Sequence, residues 1–219
     1  SKIGYIYNFQ KYFPYAKILY ISRTYRNSKE LVRYSGKFVM KNPMQIKKDL
    51  ISAKSIENPI RFIEFDDEVN KVKELIINIY LKHPDYKVLI LARKNKNIKE
   101  LFNDENFRDS VGTKVTLAGF EDIKIDAMSI HKSKGLTYDE VIIIGLDRDF
   151  PIGNRSNFWI EELFRPKDNE KRYAYAEERR VFYVALTRTK NHVFLLVNND
   201  SSLRSPFIEE LYQIIKKDL

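Results

Sequence analysis

Three short stretches of this 219-residue chain hold side chains suited to gripping a nucleotide or a nucleic acid. In the first, Tyr25 and Arg26 stand side by side. An aromatic ring offers a stacking face to a base and a guanidinium spans phosphate oxygens in bidentate fashion, so one dipeptide can hold both ends of a nucleotide. They follow a predicted strand, Ala16 to Ile21, and in an open parallel sheet ligands gather beyond the carboxyl ends of strands. The same two residues could instead cover the helix that starts at Ser28, a good N-cap. In the second stretch, His131, Ser133 and Lys134 supply imidazole, hydroxyl and ammonium groups, phosphate contacts that read no base sequence. Gly135 relieves backbone crowding in that turn, and His131 has the alternative of capping a helix or sitting in the core. In the third, Arg188 shares a helical face with Val181, Val184 and Ala185. A cation at a helix C-terminus meets the macrodipole, worth roughly 0.3 to 1 kcal/mol, whereas an arginine on a core-facing stripe is expensive unless it has an anionic partner. Glu177, Glu178, Arg179 and Arg180 read as a solvated charge cluster, Arg179 above all.

Other chemistries lack their residues. A nucleotide hydrolase needs a glycine-rich phosphate cradle followed by Lys and Ser/Thr, and the nearest string, Ser35-Gly36-Lys37-Phe38, lacks the hydroxyl residue and the upstream glycine. Asp66-Asp67-Glu68, at the end of a strand, imitates an acidic Mg²⁺-holding motif, but without a phosphate loop it is better read as helix capping. Zero cysteines remove disulfides and thiolate chemistry, and the three histidines, His83, His131 and His192, are too far apart for a metal cage, so no metal site is expected in this chain. With 39 Lys and Arg against 30 Asp and Glu, the net charge of +9 favours a polyanionic partner or a phosphate-bearing ligand. No apolar run approaches the ~18 residues of a membrane span and the first residues lack a signal-peptide core, which points away from membranes and to a cytoplasmic protein.

The elements that must position these side chains alternate short β-rich apolar runs with helical patterns, the rhythm of an α/β fold whose mostly parallel sheet carries helices on both faces. Strands are predicted at Ala16 to Ile21, Ile60 to Phe65, Val88 to Ala92, Ile125 to Ile130, Val141 to Gly145 and His192 to Val197. Three contain continuous apolar runs, KVLILA, EVIIIG and HVFLLV, as strands buried on both faces do, and should be central. Helices are predicted at Ser28 to Lys41, Asp67 to Lys82 behind Asp66 as a cap, Asn97 to Phe102, Glu177 to Thr187 and Pro206 to Lys217. Residues 1–219 read as a single domain, with an irregular surface excursion over 150–173.

Taken together, the motif strings resemble the second RecA-like motor domain of UvrD/Rep-type superfamily-one DNA helicases, with a particular likeness to the helicase IV type. Thr24-Tyr25-Arg26-Asn27-Ser28 is similar to the family's N-Y-R-S motif, Ile130-His131-Lys132-Ser133-Lys134-Gly135-Leu136 to its I-H-x-S-K-G-L motif, and Glu177 to Arg188 to its E-E-R-R…Y-V-A-L-T-R motif. Ser205 to Leu211 also resembles the helicase IV tail. The fold so implied is RecA-like, a P-loop NTPase-like fold without the P-loop. The resemblance further implies an ATP-dependent DNA helicase or translocase, with probable 3′ to 5′ polarity, in which this domain completes a site for ATP held, with its Mg²⁺, by a first motor domain of the same polypeptide. It assigns Tyr25 to the base, Arg26 and Arg188 to the γ-phosphate, and Lys134 and Gly135 to the nucleotide cleft. Arg188 becomes an arginine finger, worth roughly 10³ to 10⁵ in rate. Ser129 and His131 fall on the single-stranded DNA side.

Two departures limit the likeness. Thr137 stands where many relatives carry a ribose-contacting Glu, and the span between Arg93 and Ile125 is too short for the accessory domain that many relatives insert there. Residues 1–15, with Tyr5-Ile6-Tyr7-Asn8-Phe9 and Phe13-Pro14, resemble the junction that follows the first motor domain, which makes the chain a fragment of a longer polypeptide, inactive alone. A stand-alone basic nucleic-acid-binding module and a degenerate motor-fold interaction domain are the rival readings.

Overall fold

Three unbroken apolar runs dictate the centre of the molecule, because only a strand covered on both faces can bury every side chain. In the computed structural model, which describes residues 9–17, 19, 21–42, 45, 49–109, 112–151 and 175–218, they form β2 (Lys87–Ala92), β6 (Glu140–Ile144) and β7 (Val193–Asn198). With β1 (Ile60–Phe65), β3 (Phe107–Asp109), β4 (Lys114–Leu117) and β5 (Phe120–Ser129) they make a seven-stranded sheet in the order β1-β7-β6-β2-β5-β4-β3. The first five strands in that order are parallel, while β4 pairs antiparallel with β5 and β3 antiparallel with β4.

Strand alternation divides the core in two. Leu89, Leu91, Val141, Ile143, Val193 and Leu195 face one side, where α2 (Lys29–Val39), α5 (Ala176–Leu186) and α6 (Pro206–Lys216) pack. Phe38 of α2 meets Phe182 of α5 and Phe207 of α6 edge to face, with centroids 5.4 and 5.1 Å apart. Val88, Ile90, Ile142, Ile144, Phe194 and Leu196 face the other side, under α3 (Glu68–Lys82) and α4 (Asn95–Leu101). A single turn, α1 (Phe9–Tyr12), buries none of its residues. Among the described residues no helix is long and apolar enough to cross a membrane.

Several expectations are corrected. The described residues of Ala16 to Ile21 form no strand: Leu19 and Ile21 are 88% and 76% exposed, and the nearest pairing is an isolated parallel bridge between Arg23 and Ile51. Asp67, not Asp66, caps α3 by accepting from the Asn70 N–H at 3.0 Å, and Asp66 accepts from the Asn199 amide. The short antiparallel β3 and β4 had no counterpart in the predicted strands. The predicted helix over Ser28 to Lys41 is found as α2, and Ser35-Gly36-Lys37 lies inside it. The irregular 150–173 stretch lies, apart from Phe150 and Pro151, outside the described residues, as do residues 1–8 of the predicted junction.

The largest correction concerns charge. Glu178 and Arg179 are buried rather than solvated. Arg93, just past β2, holds Glu178 through paired bonds of 2.9 and 2.8 Å. Arg179 holds Glu210 of α6 in the same forked way, with one bond at 2.8 Å, donates to the Phe38 carbonyl at 3.1 Å, and lies 4.5 Å from the centre of the Phe38 ring. These pairs fix α5 to the sheet on one side and to α2 and α6 on the other. Removing one partner of a buried pair strands the other charge. Glu210→Ala is therefore expected to cost roughly 3 kcal/mol and to lower the melting temperature by roughly 6 to 12 °C, read by calorimetry, while Glu209→Ala on the exposed side of α6 should leave it nearly unchanged.

Candidate functional site

Ser28 caps α2 by accepting from the Leu31 N–H at 3.2 Å, and this fixes the exit of the segment before it. Tyr25 is 82% exposed, so it covers no helix. Arg26 is half-buried, and its N–H donates to the Thr24 hydroxyl at 3.4 Å. Asn27 is buried and turns the other way: its amide donates to the carbonyls of Thr189 at 2.7 Å and Thr187 at 3.3 Å, while its own carbonyl accepts from the Ser52 hydroxyl at 2.7 Å. The first and third motif strings are thereby joined across the molecule.

Arg188 follows the last turn of α5 and is 9% exposed. Its Nε donates to the Val184 carbonyl at 2.9 Å and one terminal nitrogen to the Leu136 carbonyl at 3.2 Å, which ties in the second motif string as well. The anionic partner that its buried position calls for is not found among the described residues; two neutral carbonyls solvate it instead. Burial, and then the nearby positive charge of Arg26, lower the pKa of Arg188. Burial also raises the Tyr183 phenol, against the pull of Arg188 and Arg26, so the three side chains share one small region. Three other buried or half-buried arginines are paired with carboxylates: Arg93 with Glu178, Arg179 with Glu210, Arg204 with Glu64. Arg26 and Arg188 are brought near each other with no carboxylate of the described residues against either, which makes the local potential positive.

The position of this cluster differs from the expected one. Arg188 and Thr189 sit where β6 and β7 begin, with the Tyr138 N–H donating to the Arg188 carbonyl at 3.0 Å and Tyr138 bridged to Thr189. Tyr25 and Arg26 are therefore at the amino edge of the sheet, not beyond a strand's carboxyl end, because Asn27 clips them there. Ser129 and His131 lie at the opposite, carboxyl edge: Ser129 ends β5 in register with Ala92 and is buried, and His131 is exposed, which excludes a core histidine. The segment from Ile130 to Tyr138 crosses between the two edges. Ser133 anchors it by donating to the Ile130 carbonyl at 2.8 Å, and the Tyr138 hydroxyl donates to Asp126 at 3.0 Å. Lys134 is exposed. Gly135 has φ +91°, and a Cβ there would meet nothing within 4 Å, so conformation rather than crowding requires glycine. Asn27 and the Leu136 carbonyl are the contacts that motif reading missed; an amide between Arg26 and the capping Ser28 was the only signal for the first, and a backbone group leaves none.

The description UvrD-like helicase C-terminal domain fits residues 110–200. DNA helicase IV of Escherichia coli (strain K12) is 31% identical over 194 residues, which are 87% of this chain and 26% of that protein. ATP-dependent DNA helicase Rep of Buchnera aphidicola subsp. Schizaphis graminum (strain Sg) is 26% identical over 179 residues, 78% of this chain and 25% of that protein. The chain thus spans about a quarter of the length of these relatives. Among solved structures, the C-terminal domain of a possible DNA helicase from Lactobacillus plantarum WCFS1 superposes with a TM-score of 0.53, covering 86% of this chain and 94% of that one at 14% identity, a likeness of fold.

A concavity opens at the carboxyl edge, lined by Glu68, Asn97, Gly145, Asp147 and Asn198 among others. Glu68 accepts from the Gly145 N–H at 2.9 Å, yet burial, with Asp147 and Glu100 adding to it, pushes its carboxyl up to about 7. A carboxyl free at 4.5 in the unfolded chain and at about 7 in the fold binds its proton more tightly when folded, so its contribution to stability falls as pH rises through that window and is flat above it. Glu68→Gln should therefore match the parent near pH 4.5 and exceed it above pH 7 by at least roughly 1 kcal/mol, about 2 to 4 °C in melting temperature, measured as a pH series.

Proposed function

We propose that this chain, which carries a UvrD-like helicase C-terminal domain over residues 110–200, is the second motor half of an ATP-dependent DNA helicase or translocase. The observation that carries the reading is the Asn27 clip, which holds the Arg26 segment against the residues on either side of Arg188 and so gathers two positive charges at one sheet edge without a carboxylate of the described residues. A triphosphate held by a first motor domain would supply the missing negative charge. The exposed Tyr25 ring beside them is free to stack on a base. Arg26 and Arg188 would contact the γ-phosphate, with Lys134 and Gly135 on the adjoining turn. Because Arg188 is already desolvated, its interaction with developing charge would be stronger than in water and need little reorganisation. The Mg²⁺ that accompanies ATP would be held, as the family resemblance implies, by the first motor domain.

Ser129 and His131 would touch the strand from the opposite edge, through contacts blind to sequence. The Ile130 to Tyr138 crossover would then be the mechanical connection: it begins beside Ser129 and ends hydrogen-bonded to Arg188. Closure on ATP and release after hydrolysis would alternate the grip of two domains on DNA. Polarity of 3′ to 5′ rests on the family resemblance, and the surplus charge of +9 also supports a nucleic-acid partner.

In the complete polypeptide, Arg188→Ala is expected to lower the DNA-stimulated rate of ATP hydrolysis by roughly 10³-fold or more, while single-stranded DNA affinity changes by less than about 3-fold at fixed salt. The chain of 219 residues alone should hydrolyse ATP only at background. Unchanged turnover in Arg188→Ala, or clear turnover by the chain alone, would defeat the half-site reading.

A further inference from the structure

We infer that Asn27 is a positioning residue for Arg188, a role that rests on the proposed contact of Arg188 with a triphosphate. One amide group, 7% exposed, donates to the carbonyl before Arg188 and to the carbonyl after it, at 3.3 and 2.7 Å. Two bonds from a single amide to the carbonyls of the residues on either side of Arg188 fix the backbone that aims the side chain. The frame beneath them is firm. The Thr189 hydroxyl donates toward the carbonyls of Asp139 and His192, at 3.0 and 2.8 Å, where β6 and β7 begin, and on the other side Ser52 holds the Asn27 carbonyl.

The clip also settles an electrostatic conflict. Asn27 is covalently next to Arg26, so the bonds that fix Arg188 also bring a second guanidinium to it, and Arg26 lowers the pKa of Arg188 as a like charge must. With no anion bound, that repulsion acts to separate the two segments. A neutral donor set between them holds them together without neutralising either, which leaves both charges for the ligand. A carboxylate at the same position would pair with the arginines and block that use. The side chain must be short, because the Asn27 carbonyl is itself pinned, and it must donate, because both of its partners are acceptors.

The test uses the complete polypeptide and single-turnover ATP hydrolysis on saturating single-stranded DNA. Asn27→Ala should lower the catalytic rate by roughly 10- to 100-fold, as a misplaced reacting group does, with a smaller change in the KM for ATP and none in DNA affinity. Asn27→Leu, which is close in size and has no donor, should fall equally, and carries the test if the alanine variant does not fold. The decisive readout is the pair: the losses in Asn27→Ala/Arg188→Ala should combine to less than the product of the two single losses, since Asn27 acts in large part through Arg188. Full activity of Asn27→Ala, or losses that multiply in the double variant, would overturn the inference while a collapsed Arg188→Ala left the nucleotide reading standing. Full activity of Arg188→Ala would remove that reading, and this one with it.

Discussion

Two like charges held close together at the amino edge of a sheet, without a counter-charge among the described residues, are the constraint on which the rest of the site depends. Burying a guanidinium away from carboxylates is unfavourable, and placing another near it is more so. The fold meets that demand with neutral groups only: the Val184 and Leu136 carbonyls around Arg188, and the amide of Asn27 between the two segments. Two other arginines of the described residues, buried or half-buried, are given a carboxylate, Glu178 for Arg93 and Glu210 for Arg179. The contrast sets Arg26 and Arg188 apart from these structural arginines and supports their proposed role toward a ligand.

Rigidity around the pair has a traceable source. Helix α5 carries Arg188 at its end and is fixed at its beginning by the Arg93–Glu178 and Arg179–Glu210 pairs, and along its length by Phe182 in the aromatic cluster. The sheet below it is buried on both faces, so the Tyr138–Thr189 bridge that receives the chain after Arg188 is equally fixed. A charged side chain on so stiff a mount can be offered to a ligand with little loss of freedom on binding. The same stiffness makes the Ile130 to Tyr138 crossover a continuous link between the edge of Ser129 and the edge of Arg188.

Much of this was legible in the sequence, for identifiable reasons. Continuous apolar runs place β2, β6 and β7 at the centre because no other environment accepts them, and the helical stripe of Val181, Val184, Ala185 and Arg188 announces a buried arginine. The partner of that arginine was not legible, since it is a pair of backbone carbonyls, one of them 52 positions away. Asn27 reaches across 162 positions to Thr189, beyond any local pattern. Arg179 was misread as solvated because runs of alternating charge usually are, and only the tertiary approach of Glu210 reverses that. The amino-edge location of Tyr25 escaped for a related reason: a β-rich run at Ala16 to Ile21 looks like a strand, but pairing partners, not composition, make one.

The central claim, that Arg188 and Tyr25 are poised for a triphosphate brought by another domain, is tested most directly by a crystal structure of the complete polypeptide with single-stranded DNA, ADP and aluminium fluoride as a mimic of the transferring phosphoryl group. A guanidinium nitrogen of Arg188 should lie about 3 Å from the fluoride, with the Tyr25 ring stacked on the adenine. An Arg188 side chain still turned to the Leu136 carbonyl, and more than about 6 Å from the mimic in a closed complex, would contradict it.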